Sequence, residues 1–182
     1  MKSLVVALVL FAFASSVPAA EKTISFTFKN KDLTDIIESY AKSSGRKFVV
    51  TPDVRGKATV LTSANVTLEE AFNLLSDALA SNGYAITERD DTAVVMSARD
   101  VQRGGIPVVT EIPSLKPERM VTFIYTCKHC QAAQMIGQLR MAASKNGEIY
   151  VVEPNRLVFT DFSSSLQRVG KLLAELDKPA AK

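Results

Sequence analysis

Two stretches of this chain repeat one order of side-chain periodicity, and that order constrains the fold more than any composition figure. Each stretch starts with apolar residues at every second position, then places them three and four apart. Alternation then returns twice, and a second helical stripe follows. A period of two buries one face of a strand, and a period near 3.6 buries one stripe of a helix. Elements of that kind are satisfied by a helix layer packed on a sheet. The expected class is therefore α+β, as two small two-layer domains.

In the first stretch, Thr23 to Lys29 alternates and predicts a strand, and Asn30 stands where a helix cap belongs. Leu33, Ile36, Ile37, Tyr40 and Ala41 mark the stripe of a helix that Gly45 ends. Lys47 to Val50 and Lys57 to Thr62 read as strands around a turn at 51–56. Thr67 and Glu70 form a capping box ahead of the stripe Leu68, Ala71, Phe72, Leu75, Ala78 and Leu79. Tyr84 to Thr87 and Ala93 to Met96 make a hairpin around Asp90 and Asp91. The first domain reads β-α-β-β-α-β-β over 21–98.

Residues 99–117 hold two Gly and three Pro without lasting periodicity and are expected as a linker. The second domain, 118–178, reads β-α-β-β-α, with strands at Met120 to Thr126, Glu148 to Val152 and Arg156 to Thr160. Its helices carry Ala132, Met135, Ile136 and Leu139, and then Leu166, Val169, Leu172, Leu173 and Leu176. Residues 179–182 are a tail. Domains this small have marginal cores, so contact between them or assembly into an oligomer would help.

Composition narrows the function classes. With 47% hydrophobic residues and a net charge of +3, the chain is neither disordered nor a dedicated nucleic-acid binder. Residues 1–20 stand apart: Lys2, an apolar run from Leu4 to Phe13, and small residues ending Val17-Pro18-Ala19-Ala20. That is the pattern of a secretory signal peptide, with cleavage expected after Ala19; the alternative is an uncleaved membrane anchor. The run is too short to span a bilayer, which takes about 20 residues. The remainder is expected to be exported, without a membrane span, into a compartment that permits disulfides.

The sharpest chemical feature is Cys127-Lys128-His129-Cys130, where a strand runs into a helix N-terminus. Helix donors and a cationic neighbour lower a thiol pKa there, and the spacing is that of thiol-disulfide oxidoreductase motifs. The same spacing allows a local structural disulfide, and free thiols or a transient metal complete the alternatives. His129 is the single His. A zinc site would therefore lack a fourth ligand, and a Ser-His-Asp arrangement has no base elsewhere. No catalytic residues, cofactor or resident metal are expected.

Several segments resemble the periplasmic N-terminal domains of bacterial secretins, the ring channels of secretion and pilus systems. They are Phe26 to Ile37, Phe48 to Val60, Thr67 to Leu75 and Asn82 to Ala85. Together they are similar to the first such domain, most of all that of type II secretion secretins, and also to the signalling domain of TonB-dependent receptors. Val121 to Tyr125, Gln131 to Ala133, Ile136 to Arg140, Glu153 to Leu157, Thr160-Asp161 and Arg168 to Asp177 resemble the next domain, a small KH-like ring-building unit.

The resemblance implies a periplasmic, non-enzymatic component of a type II secretion or type IV pilus-like machine. It implies partners among secretins, an inner-membrane platform protein, and secreted cargo or pseudopilus, and assembly into a homo-oligomer or ring. Docking would use exposed strand edges, at Ser25 and Thr27 on the first strand and Thr59 and Leu61 on the third. Secretins continue into further ring domains and a pore, whereas this sequence stops at Lys182. The expectation is a short adaptor or separately encoded ring subunit. A thiol-disulfide oxidoreductase and a receptor-type signalling domain are the alternatives.

Overall fold

Phe26 has no measurable exposure, and the chain is bent to put it there. In this computed structural model, which describes residues 22–179, the expected first strand is two pieces either side of that ring. Strand β1 (Thr23–Ile24) pairs antiparallel with β5 (Val66–Thr67), and β2 (Phe28–Asp32) pairs antiparallel with β4 (Lys57–Val60). The β2–β4 ladder is irregular between Phe28 and Lys31. Asn30 has φ 47° there, and its N–H donates to Thr59 Oγ1 at 3.0 Å. Asn30 is therefore a bulge residue, for which Asn is among the most tolerant side chains. The helix cap falls at Asp32 instead.

Helices α1 (Leu33–Ser44) and α2 (Leu68–Ser81) follow the predicted stripes, and the Thr67–Glu70 capping box forms in both directions. Strand β3 (Lys47–Val50) runs parallel to β7 (Thr92–Ser97), which pairs antiparallel with β6 (Tyr84–Arg89). The order β3-β7-β6 leaves β3 and β6 at the edges. Between these elements lies an apolar core that includes Phe26, Leu33, Ile36, Tyr40, Leu75, Leu79 and Val95. Tyr40 meets Phe26 and Phe48 edge-on, at 6.2 and 5.9 Å between ring centroids.

The segment expected as a linker is partly ordered into elements. Ala98–Arg103 forms α3, capped by Ser97. Val108–Val109 forms β8, parallel to β9 (Met120–Thr126). Ile112 lies on Gly170 of the last helix, and Gln167 donates to the Pro113 carbonyl at 2.7 Å. Two-residue strands and one-sided helical turns leave almost no periodic signal in a sequence.

The second lobe is one sheet of order β10-β11-β9-β8. Strands β10 (Glu148–Val152) and β11 (Arg156–Phe162) form a hairpin, and β11 pairs antiparallel with β9. Its core, including Val121, Phe123, Leu139, Leu157, Phe159, Leu166, Val169 and Leu173, lies between the sheet and helices α4 (Ala132–Arg140) and α5 (Ser163–Leu176). The lobes share a small cluster of Ala85, Ala98, Val101, Met120 and Phe162. Polar contacts reinforce it: Lys116 pairs with Asp77, and the Glu118 N–H donates to Ser76 Oγ at 3.2 Å. The observed order is the expected α+β pattern with α3, β5 and β8 added.

Candidate docking surface and cysteine turn

Phe28 stands opposite Val60 at the end of the β2–β4 ladder, which brings Thr27 next to Leu61 and Thr62. Ser25 and Thr27 flank the buried Phe26 and point outward, though both lie between strands rather than within one. Leu61 lies just past β4 and is 68% exposed, more than most large apolar side chains here. Thr27 Oγ1 and Thr62 Oγ1 share a hydrogen bond of 2.7 Å, and Thr59 Oγ1 is held by Asn30. All four predicted docking residues are exposed, and two of them, Thr27 and Thr59, also brace the lobe through surface hydrogen bonds. Strands β2 and β4 form a two-stranded ladder, so each has an edge without a strand on it.

Cys127 and Cys130 sit in the turn between β9 and α4, ahead of the helix rather than in its first turn. Both are free thiols, so the expected disulfide is not the arrangement found. Two side chains from distant parts of the lobe hold this turn in its place. Asp177, where α5 ends, accepts from the N–H groups of Lys128, His129 and Cys130 at 2.8, 2.7 and 3.1 Å, and from Tyr125 Oη at 2.7 Å. Asn155, in the β10–β11 turn, accepts from the Ala132 N–H at 2.7 Å, supplying the cap that Gln131 does not. It also donates to the Cys130 carbonyl at 2.8 Å.

The electrostatics follow from that geometry. Burial by itself raises the Asp177 carboxyl pKa. The N–H groups of Lys128 and His129 and the Tyr125 hydroxyl outweigh it and hold the carboxyl well below the usual range. The donors expected to stabilise a thiolate are therefore occupied by a carboxylate. Burial and that neighbouring negative charge push Cys130 up to about 12, and burial raises Cys127 as well. A redox-active thiol needs the opposite shift. The thiol-disulfide oxidoreductase reading of Cys127-Lys128-His129-Cys130 is set aside on this ground. Asp177 and Asn155 escape sequence reasoning because nothing in their own segments marks them.

A second carboxylate does similar work across the lobe. Asp161 is 2% exposed and accepts from the N–H groups of Ser144 and Phe162, both at 2.7 Å, and from the Ser144 hydroxyl. A Cβ at Gly147 would stand 2.3 Å from its Oδ2, so that turn requires glycine.

Residues 26–95 match the family described as GspD-like, N0 domain. That match falls within the first lobe, hereafter the N0 lobe. Similarity continues past the N0 lobe into the second. The chain is 22% identical to secretin XcpQ of Pseudomonas aeruginosa, over 92% of this chain and 25% of that protein. It is 22% identical to secretin PulD of Klebsiella pneumoniae, over 97% and 27%. The type IV pilus biogenesis and competence protein PilQ of Neisseria meningitidis is 27% identical, over 87% and 22%. The chain thus spans about a quarter of the length of the curated relatives it matches.

In three dimensions it resembles a chain of the Klebsiella pneumoniae type II secretion system outer membrane complex, which contains PulD, PulS and the PulC HR domain. The TM-score is 0.74 at 19% identity, covering 85% of this chain and 27% of that one. That likeness is one of fold, and it extends beyond the N0 lobe. Among the described residues no helix is long and apolar enough to cross a membrane, and no cluster of His, Cys, Asp or Glu could hold a metal. The expected signal peptide and its cleavage after Ala19 lie outside the described residues.

Proposed function

We propose that this chain is a periplasmic docking and ring component of a type II secretion or type IV pilus-like machine. The observation that carries the reading is the N0 lobe itself: a GspD-like domain whose β2–β4 ladder has edges without a strand on them. An open edge offers main-chain donors and acceptors to an incoming strand, and adjacent side chains supply specificity. Ser25, Thr27, Thr59 and Leu61 are exposed beside it. The Klebsiella complex contains PulD together with the PulC HR domain. By that likeness, the partner of the N0 lobe is the periplasmic part of an inner-membrane platform protein. Secreted cargo or pseudopilus reaches the same side. The second lobe packs against copies of itself or against a secretin's ring domains.

Capture of the native platform protein tests the docking surface. Ser25→Pro, Thr27→Pro and Leu61→Glu should each abolish or strongly reduce pull-down while the melting curve shows a folded N0 lobe. Undiminished capture by all three folded variants overturns the assigned surface.

A further inference from the structure

Strand β10 is the outer strand of the second lobe's sheet, with no strand beyond it among the described residues. Its last three residues are apolar and exposed: Tyr150 at 51%, Val151 at 38% and Val152 at 41%. Natural edge strands are usually blunted by charges, a proline or a bulge. Glu148 at the start is the one charge in β10, and its pairing with β11 is regular.

The ladder fixes which main-chain groups of β10 are free. The Cys127 N–H donates to the Asn155 carbonyl at 3.1 Å, one step beyond the Arg156–Thr126 pair. Odd-numbered residues of β11 therefore aim their main-chain groups at β9, and even-numbered ones aim theirs at β10. Val158 thus bonds its partner Tyr150, and Ile149 and Val151 turn their N–H and carbonyl groups outward.

Hollows flank this edge at both ends of α4. One, of about 370 Å³, is lined by Arg140, Ala143, Glu148 and Tyr150. The other, of about 270 Å³, is lined by Ala133, Val151, Glu153 and Pro154. Arg140 and Glu153 are exposed, and neither is in an ion pair among the described residues. A cation thus stands at one end of the edge and an anion at the other. An antiparallel copy of the same edge reverses those ends and brings each cation to an anion.

We infer that β10 pairs antiparallel with β10 of a second copy of this chain, about a two-fold axis at Tyr150. Ile149 of each copy exchanges both main-chain hydrogen bonds with Val151 of the other. Tyr150 stands opposite Tyr150 and Glu148 opposite Val152, so no like charges meet across the strands. Arg140 of each copy reaches Glu153 of the other, and the exposed apolar residues leave water. The interface is isologous and closes at two copies. It specifies one contact of the second lobe with copies of itself and rests on that part of the proposed function. The exposed Leu172 and Leu176 of α5 are not used by it.

The test is sedimentation equilibrium of the protein, both lobes present, with reductant to exclude disulfides between chains. A monomer–dimer equilibrium is expected with a Kd of about 0.1 mM, the range of a small contact. Amide exchange at Ile149 and Val151 should slow as concentration rises through that value. Val151→Pro removes an outward N–H that the lobe itself does not use, and should weaken the dimer about tenfold while the melting curve stays that of a folded protein. Arg140→Glu and Glu153→Arg should each weaken it about fivefold, and the double variant should restore it, which misfolding does not do. A dimer that survives Val151→Pro, or a double variant as weak as the single ones, overturns the pairing and leaves the rest of the proposed function standing. A protein still monomeric at about 1 mM overturns it as well. Capture of the platform protein does not depend on this pairing and is read separately.

Discussion

The two lobes have similar strand and helix orders but hold themselves together by different means. The N0 lobe divides its strands among three small ladders and relies on an aromatic and aliphatic core around Phe26 and Tyr40. The second lobe gathers its strands into one sheet and pins its turns with two buried carboxylates, Asp161 and Asp177. Split ladders leave several strand edges without a strand on them, which suits the docking role proposed for this lobe. A continuous sheet with pinned turns keeps its shape, which suits the ring-building role proposed for the second lobe. The cysteine turn belongs to the second kind of device: its donors serve Asp177, and its thiols are held neutral.

Breaking each lobe's own device sharpens the contrast. Phe26→Ala should have the largest effect, costing about 4 kcal/mol by cavity formation. Hydrogen exchange should accelerate in the N0 lobe ahead of the second. Asp177→Ala should cost about 3 kcal/mol, because three backbone N–H groups lose a charged acceptor. Here exchange should accelerate at 125–132 while α1 and α2 keep their protection.

Gly147→Ala should cost about 2 kcal/mol by displacing the Asp161 carboxylate, again confined to the second lobe by the same measurement. Thr62→Val should have the smallest effect, about 1 kcal/mol or less, since its bond to Thr27 is exposed. Equal loss of protection in both lobes for Phe26→Ala and Asp177→Ala would show that they unfold as one unit and end the contrast.

The pH dependence separates the lobes as well. Asp177 has a depressed folded pKa, so its stabilisation is present above about pH 4, where the unfolded carboxyl ionises, and is lost as pH falls below that. Cys130 has a raised folded pKa. Its stabilisation is complete below about pH 8.5, where an unfolded thiol begins to ionise. It is lost as pH rises toward the folded value of about 12. Denaturant midpoints read by a second-lobe probe should decline over that alkaline window, and Cys130→Ser should remove most of the decline. Alkylation of the folded protein at pH 8 should be much slower than that of the unfolded chain.

Periodicity and caps made the helices legible, as with the Thr67–Glu70 box and the Ser163–Leu176 stripe, because those signals depend on residues three and four apart. The strand from Thr23 was legible as extended chain, yet its division at Phe26 was not. Alternation reports which face is buried and is silent on which strand lies alongside. The open edge of the β2–β4 ladder, where docking is proposed, was readable to within a residue or two. The bracing use of the Thr27 and Thr59 hydroxyls was hidden, since Thr62 and Asn30 are about thirty positions away.

By itself, the sequence determined the α+β class, the four longer helices, the hairpin turn at Asp90 and the likeness to secretin N-terminal domains. Only the tertiary structure decided what the cysteine turn is. Asp177 lies 47 residues from Cys130, and its carboxylate reaches the turn because α5 crosses the sheet and ends there. Successive backbone N–H donors in a turn favour any anion, and here a fixed carboxylate occupies them in place of a thiolate. The sign of the thiol shift was thus set by a long-range contact, which local spacing does not encode.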